Sequence, residues 1–385
     1  AEDVRVMVPV GPLGVAPGTQ RYRLLDEGVL ENFDGFTIPM PRDPAGLDLN
    51  RNFPAGWGTT VLGSGDHPMS EPEIDSLVRA ARSRTNVCGY NAFHTAGGFM
   101  LRPSSTRPDS TLPPFDIWVY NELGKVGVQH TGYPVHSVYE DLTWDKSDTM
   151  SGAGDDWAYE HLGVFGWTTE FWDIIFHATG KHSPTDVWYV GPTPEQELAV
   201  CKWTDTHAPG SYSPWKKFNH PQLGEIEIGG CDPIKTWSNA PASKLRDEVA
   251  PHVHFAIYQA LASPRLEIKR ANAEALGNGV YKVEIGIANT GWLGTEISEW
   301  AHKNKIVLPL TAEISGATLV EGAPRVKLGQ LDGRVKFRVS GDAKSDGTPD
   351  RVLQSWLIRG EKGQRVTLTA THQRAGVASA VVELP

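Results

Sequence analysis

The sequence has few cysteines, and their number excludes one class of protein. Three cysteines among 385 residues, Cys88, Cys201 and Cys231, are too few for a scaffold held together by disulfides. At most one pair can form, with Cys201 and Cys231 the better candidates, and buried free thiols are an equal alternative. The cysteine count therefore leaves the redox compartment open.

Long apolar runs and basic clusters are also absent. No apolar stretch approaches the roughly 20 residues that a membrane-spanning helix needs. Residues 1–4 lack the basic start and apolar middle of a signal peptide, and no Met opens the chain. We therefore expect a processed product or an excised fragment. As a separate expectation, the protein is soluble and secreted or periplasmic. The formal net charge is −10 without any lysine or arginine run, so we expect no nucleic-acid partner.

Length and composition predict two globular domains. A chain of 385 residues is too long for one ordinary hydrophobic core. Its hydrophobic content of 39% and charged content of 21% are normal for a soluble protein and argue against disorder. We place the domain boundary between residues 263 and 264, where the pattern of apolar residues changes.

The first domain, residues 1–263, is predicted to be α/β, with a mixed, largely parallel sheet that carries helices on both faces. The predicted strands are residues 4–9, 87–93 and 163–171, and the predicted helices include residues 194–205 and 243–262. Another helix is expected to begin at Ser70, as its N-cap, with Glu73 reaching back to complete a capping box. Apolar residues then recur at helical spacing.

The second domain, residues 264–385, is predicted to be a small antiparallel β-sandwich. Apolar and polar residues alternate along residues 281–287, 335–339 and 366–370, with turn residues between these segments. The domain holds no dense group of polar residues of catalytic type. We therefore expect a packing or recognition role for it.

The most informative segment is residues 46–54, GLDLNRNFP, which sets Asn50 beside Arg51 in a loop closed by Pro54. A guanidinium group binds a carboxylate through two parallel hydrogen bonds, and a neighbouring amide can supply a third. The pair is therefore suited to holding a free chain terminus. The alternative for Arg51 is that it clamps the loop.

Two further candidates lie at predicted strand ends, where α/β folds place their chemistry. His94 follows the strand at residues 87–93, and Glu170 lies near the end of the strand at residues 163–171. A peptidase that removes a C-terminal residue needs a metal-activated water, a carboxylate to move its proton and a cation for the terminal carboxylate. A hydrogen-bonded core histidine and a glutamate paired with an arginine are the alternatives.

Four segments in this order resemble the motifs of the zinc carboxypeptidase family of metallopeptidases. They are residues 48–51 (DLNR), 94–103 (HTAGGFMLRP), 154–159 (GDDWAY) and 166–170 (GWTTE). The resemblance implies the family's fold, a Zn²⁺ cofactor and a peptide or small-molecule substrate with a free C-terminal carboxylate.

The resemblance also implies a role for each matching residue. Asn50 and Arg51 match the residues that bind the terminal carboxylate of the substrate. Asp48 matches an aspartate that orients a zinc-bound histidine without touching the metal. His94 matches the family's last zinc ligand, and Glu170 matches its general base.

Two more positions follow from the resemblance. Asp155 precedes the Asp-Trp of the third motif, at a position that lies in the pocket for the departing side chain. An acidic residue there marks a preference for C-terminal lysine or arginine, and a solvated or helix-capping aspartate is the alternative. Arg42 is the nearest candidate for the arginine that stabilises the oxyanion in this family, although its spacing from Asn50 and Arg51 differs from that in the pancreatic-type members.

The sequence lacks the His-x-x-Glu motif that supplies the first two zinc ligands of the family. None of the 13 histidines is followed by glutamate at the third position. One histidine cannot hold a catalytic zinc, which needs three protein ligands. Either an N-terminal segment that bears the motif is missing from this sequence, which we favour, or the protein has lost its metal.

The expected function is therefore that of a metallocarboxypeptidase that hydrolyses C-terminal residues of peptides and is inactive as this chain alone. A missing N-terminal segment of the same protein is an expected partner. One alternative is a non-catalytic module that binds peptides or carboxylates. Another is a hydrolase of cell-wall peptides.

Overall fold

The structure, a computed structural model, describes residues 3–11, 14–25, 27–38, 46–336 and 347–385, without the side chains of residues 188 and 189. The chain divides into two compact units. The first unit comprises Ala1–Leu47, Phe93–Leu101 and Thr169–Pro251. The second comprises Asp48–Ala92, Arg102–Thr168 and His252–Pro385.

The N-terminal two thirds of the chain has mixed α/β structure, as predicted, and its sheet is partly parallel. Its sheet has the strand order β1-β4-β2-β3, with β1 at Gly89–Thr95, β2 at Phe99–Arg102, β3 at Val135–Ser137 and β4 at Phe165–Phe171. A hairpin of β5 (Tyr212–His220) and β6 (Gly224–Cys231) forms a second, two-stranded sheet. The strands predicted at residues 87–93 and 163–171 are confirmed as β1 and β4.

Eight helices of this part are described. They are α1 (Pro72–Arg82), α2 (Pro114–Thr131), α3 (Gly154–Trp157), α4 (Ile174–Thr179), α5 (Val187–Val190), α6 (Pro194–His207), α7 (Pro233–Thr236) and α8 (Ala242–Leu261). The helices predicted at residues 194–205 and 243–262 are confirmed as α6 and α8. Single 3-10 turns occur at Leu49–Arg51 and Asp109–Thr111, and single π-helical turns occur at Val138–Leu142 and Ala158–Leu162.

The strand predicted at residues 4–9 is wrong. Residues 3–5 form a turn, and no strand follows them up to residue 10. The Asp3 carboxylate accepts hydrogen bonds from the backbone nitrogen of Arg5, at 3.0 Å, and from its guanidinium group. The side chain of Val4 is 87% exposed. Local hydrogen bonding has overridden the β propensity of the valines because they are not buried against a sheet.

The helix predicted after Ser70 exists as α1, but its predicted N-cap is wrong. Glu71 is the N-cap residue, and it makes no capping hydrogen bond with its side chain. The Ser70 hydroxyl instead donates to Glu71 Oε1 at 2.7 Å and accepts from Asn52 Nδ2 at 3.0 Å. A distant side chain, Asn52, has replaced the local capping box, because its Oδ1 accepts from the Glu71 backbone nitrogen at 3.1 Å.

The C-terminal part contains two four-stranded antiparallel sheets, in the orders β10-β12-β8-β7 and β11-β9-β13-β14. Their strands are β7 (Leu266–Gly277), β8 (Val280–Asn289), β9 (Leu310–Ser315), β10 (Thr318–Leu319), β11 (Arg325–Gly329), β12 (Arg351–Arg359), β13 (Arg365–His372) and β14 (Gly376–Glu383). Helix α9 (Glu299–Asn304) lies between β8 and β9 in the chain. Buried side chains of both sheets, such as Ile285 and Leu368, belong to one hydrophobic core.

The predicted strands at residues 281–287 and 366–370 are confirmed as β8 and β13. The strand predicted at residues 335–339 is wrong at residues 335 and 336, because Arg334–Lys336 form a 3-10 turn. Residues 337–339 lie outside the described residues. The Val-x-Phe-x-Val alternation of residues 335–339 is too short to predict a strand on its own.

All three cysteines are free thiols in the structure, so the disulfide between Cys201 and Cys231 is not formed. Cys201 is buried, and the Cys231 sulfur lies 2.7 Å from Thr236 Oγ1. None of the helices within the described ranges combines the length and the apolar character that crossing a membrane requires.

Candidate functional site

The Asn50–Arg51 pair sits in a single 3-10 turn that Asp48 stabilises. Asp48 Oδ1 accepts a hydrogen bond from the Asn50 backbone nitrogen at 2.9 Å, as the N-cap of the turn. Asp48 Oδ2 lies 3.7 Å from Arg51 Nη1, which also donates to the Asn50 carbonyl at 2.9 Å. Asp48, predicted to orient a zinc ligand, thus contacts Asn50 and Arg51 themselves. The Arg51 side chain is partly exposed, at 22%.

Asn52 anchors this turn and was missed by the sequence analysis. Its side chain is fully buried, and its Nδ2 donates to the carbonyls of Ser64, at 2.8 Å, and His67, at 3.0 Å. The same side chain caps α1, as described above. A buried amide that satisfies several backbone groups fixes the conformation of the loop around it. The one available signal was a second asparagine directly after Arg51.

Residues 152–154 pack against the Asn50–Arg51 turn within the second unit. The Phe53 backbone nitrogen donates to the Gly152 carbonyl at 3.0 Å, and the Gly154 nitrogen donates to Asn50 Oδ1 at 2.9 Å. Gly152 has a φ of +76°, and a Cβ added there would lie 2.1 Å from the Arg51 carbonyl oxygen. Only glycine allows this approach.

We expect Gly152→Ala to destabilise the second unit by more than about 3 kcal/mol, because it adds a backbone clash to the cost of a left-handed alanine. Chemical denaturation measures the effect. Gly132→Ala is the matched control, since Gly132 also has a positive φ, +77°, but open space around it. It should cost only about 1 kcal/mol. Equal losses in the two variants would contradict the close packing at Gly152.

Asp155 is a buried carboxylate next to the same turn. It is 2% exposed, and burial raises its pKa to about 6, although a hydrogen bond from Thr168 and the charge of Arg51 oppose the rise. Its Oδ2 has no hydrogen-bond partner among the described residues. A buried acceptor without a partner is costly, and a cationic ligand would satisfy it.

Asp156 has a different, structural environment. Its two carboxylate oxygens accept from the Ser105 backbone nitrogen at 3.1 and 2.9 Å. Burial, and then the neighbouring charge of Asp155, raise the pKa of Asp156 well above its usual range. Two adjacent buried acids therefore differ in their contacts, and of the two only Asp155 has a carboxylate oxygen without a hydrogen-bond partner among the described residues.

His94 and Glu170 lie together in the first unit, at the ends of β1 and β4. The distance from His94 Nδ1 to Glu170 Oε1 is 3.7 Å, and both side chains are partly exposed. The loop after His94 is fixed to the end of β4, because the Gly98 nitrogen donates to the Glu170 carbonyl at 2.7 Å and the Gly97 nitrogen to the Trp172 carbonyl at 2.8 Å. The geometry brings a potential metal ligand and a potential base into one pair.

The predicted site residues thus form two sets, one in each unit. His94 and Glu170 belong to the first, and Asp48, Asn50, Arg51 and Asp155 belong to the second. Arg42 lies outside the described residues.

The described residues do not complete a zinc site. No group of three or more histidine, cysteine, aspartate or glutamate side chains in the described ranges is arranged to hold a metal ion. His94 is one candidate ligand, whereas a catalytic zinc takes three ligands from protein.

Two parts of the chain match known families. Residues 31–185 match the family described as "Zinc carboxypeptidase", and residues 265–383 match a "Domain of unknown function (DUF8731)". Carboxypeptidase B of Bos taurus is 28% identical over 143 residues, which cover 33% of this chain and 32% of the relative. The chain therefore spans about a third of the length of this curated relative.

Similar solved structures include a carboxypeptidase A from Helicoverpa armigera, with 21% identity and a TM-score of 0.28, covering 43% of this chain and 42% of that one. Bovine thrombin-activatable fibrinolysis inhibitor, solved in complex with tick carboxypeptidase inhibitor, has 23% identity and a TM-score of 0.27. That match covers 41% of this chain and 56% of the other.

Proposed function

Residues 31–185 belong to the zinc carboxypeptidase family, and from this premise we propose that the chain carries the substrate-binding residues and the general base of a metallocarboxypeptidase. The reaction is hydrolysis of the last peptide bond of a peptide. The observation that carries the proposal is the hydrogen bond from the Gly154 nitrogen to Asn50 Oδ1, which holds Asn50 and Arg51 beside the buried Asp155.

Asn50 and Arg51 bind the terminal carboxylate of the substrate. The Asn50 amide oxygen accepts from the Gly154 nitrogen, which leaves its NH₂ group as a donor to the ligand. Arg51 adds a charged fork of donors, partly buried and anchored by Asp48. Asp155 receives a cationic side chain, because its buried Oδ2 lacks a partner among the described residues. The proposed substrates are therefore peptides that end in lysine or arginine.

Glu170 takes a proton from the attacking water and delivers it to the leaving amine. Zinc, when bound, supplies a water of lowered pKa. His94 is the one ligand that we assign to it, so two more are required. We propose that a His-x-x-Glu segment outside these 385 residues provides them and that this chain alone does not turn over substrate.

The test of this function is binding by the chain as it is. Calorimetric titration should show that a short peptide ending in lysine with a free carboxylate binds at least about tenfold more tightly than its C-terminal amide. Equal binding of the acid and the amide would overturn the proposed role of Asn50 and Arg51.

The zinc content gives a second prediction. After dialysis against trace zinc, the purified chain should retain well below one zinc ion per molecule by elemental analysis, because a single histidine holds Zn²⁺ weakly. His94→Gln is the control and should remove what little is bound. About one zinc per chain, lost in that variant, would show that further ligands complete the site and would contradict the need for another segment.

A non-catalytic peptide-binding module is the second candidate. The incomplete ligand set among the described residues favours it. It predicts binding of free C-termini without turnover even when a His-x-x-Glu segment is present in a longer chain. Turnover in such a chain would exclude it.

For the whole chain we propose residues 1–263 as the carboxypeptidase-like domain and residues 264–385 as a β-sandwich, because the two C-terminal sheets share one core. We also propose that the protein acts outside the cytoplasm.

A further inference from the structure

Residues of the C-terminal domain form hydrogen bonds with the helical segment that carries Asp155. This segment continues from α3 through the turn Ala158–Leu162 to Gly163. Trp300 of α9 donates from Nε1 to the Glu160 carbonyl at 3.0 Å, and its ring centroid lies 5.6 Å from that of Tyr159. Ser298 Oγ donates to the Gly163 carbonyl at 2.8 Å. The downstream half of the segment is thus fixed by residues that belong to the domain of unknown function.

Asp116 joins the same two regions. It is fully buried on α2, and its Oδ1 accepts from the Glu299 nitrogen at 2.7 Å. Its Oδ2 accepts from the Trp300 nitrogen at 2.9 Å and from the Tyr159 hydroxyl at 2.7 Å. One carboxylate therefore caps α9 and fixes Tyr159, about one helical turn beyond Asp155.

Arg374 is a second connection. Its side chain is buried, and its guanidinium group donates to the carbonyls of Glu296, at 2.9 Å, and Gly163, at 3.4 Å, and also to that of Leu162. A cation at the C-terminal carbonyls of a helical turn stabilises that end of the turn. The guanidinium therefore joins the loop before α9 to the end of the Asp155 segment.

We propose that Trp300 and Arg374 are positioning residues for the Asp155 pocket. They hold the segment of residues 154–163 so that Asp155 stays buried and the pocket distinguishes a basic C-terminal residue from an apolar one. The inference rests on the proposed function and deepens it, because it gives residues of the domain of unknown function a role in the substrate selectivity of the same site. Loosening the segment would admit water to Asp155 and weaken its interaction with a ligand cation.

The experiment compares Trp300→Leu and Arg374→Lys with the unaltered 385-residue chain. Lys303→Ala is the matched control, since Lys303 lies on α9 with an exposed side chain. Calorimetry gives the affinities for two peptides that differ only in a C-terminal lysine or leucine. We expect both test variants to lower the lysine-to-leucine affinity ratio about tenfold, with the leucine affinity changed less than about threefold. The control should leave both affinities unchanged.

A merely structural role gives a different result. In that case the substitutions would lower the denaturation midpoint, or would lower both affinities alike, and the lysine-to-leucine affinity ratio would stay unchanged. Such a result would overturn the inference. If Trp300→Leu does not unfold cooperatively, Trp300→Phe replaces it, since it keeps the ring contact with Tyr159 and removes only the Nε1 hydrogen bond. An unaltered chain with no lysine preference would overturn the proposed pocket and this inference together. A preference that survives in all variants would overturn the inference alone.

Discussion

Asp155→Asn should abolish the preference of this chain for peptides that end in lysine or arginine. The variant keeps the shape of the side chain and removes the negative charge that a cationic ligand needs. Because the carboxylate is buried, its loss leaves the ligand cation without a partner in a desolvated pocket. Removing one partner of a buried ion pair costs about 3–5 kcal/mol. We therefore expect the affinity for a lysine-ended peptide to fall at least about 100-fold.

The same substitution should stabilise the empty protein above pH 6. The ordinary pKa of an aspartate is 3.8, and burial raises that of Asp155 to about 6. The folded state therefore binds this proton more tightly than the unfolded state, so the free energy of unfolding falls as the pH rises through this interval. Asparagine has no proton to lose. Above pH 6 the free energy of unfolding of the variant, measured in denaturant titrations, should exceed that of the unaltered chain by up to about 3 kcal/mol.

Asp148→Asn is the control for both measurements. It makes the same change of charge in the same unit, on an exposed side chain. It should alter neither the lysine preference nor the pH dependence of stability. An unchanged preference in Asp155→Asn would show that Asp155 is a structural residue. The pocket would then have to be sought elsewhere.

Arg51→Met should remove the discrimination between a free C-terminal carboxylate and an amide. Arg51 is the cation next to Asn50, and methionine keeps much of its apolar stem while removing the charged fork. Truncating one partner of a partly buried charge pair costs about 2–5 kcal/mol. We expect the affinity for the free acid to fall about 100-fold, to the level of the amide.

Two comparisons make this result specific to carboxylate recognition. The affinity for the peptide amide should hardly change, because the amide does not use the charge of Arg51. Arg82→Met, at an exposed position of α1, should leave both affinities unchanged. If Arg51→Met weakened the acid and the amide alike, the arginine would be a loop clamp, which was the structural alternative for it.

The local elements of the fold followed from sequence patterns wherever a segment was long and periodic. Helix α6 and helix α8 lie where helical spacing predicted them, and β4 lies where an apolar run predicted a strand. The patterns failed at short segments. Residues 4–9 have the composition of a strand and do not form one, because strand formation requires a neighbour that composition does not specify. Ser70 has the signature of an N-cap, but Asn52, 18 residues away, binds its hydroxyl instead.

The sequence by itself determined which residues could carry the chemistry. The Asn50–Arg51 pair, His94 and Glu170 stood out because their types and order suit the recognition of a C-terminus and the transfer of a proton. The tertiary structure decided their surroundings. Gly154 meets Asn50 across 104 residues of chain, Asp155 is buried with an oxygen that lacks a partner among the described residues, and Asp116 connects Tyr159 to α9. Burial and long-range hydrogen bonds depend on segments that are distant in the chain, and local patterns therefore carry no signal for them.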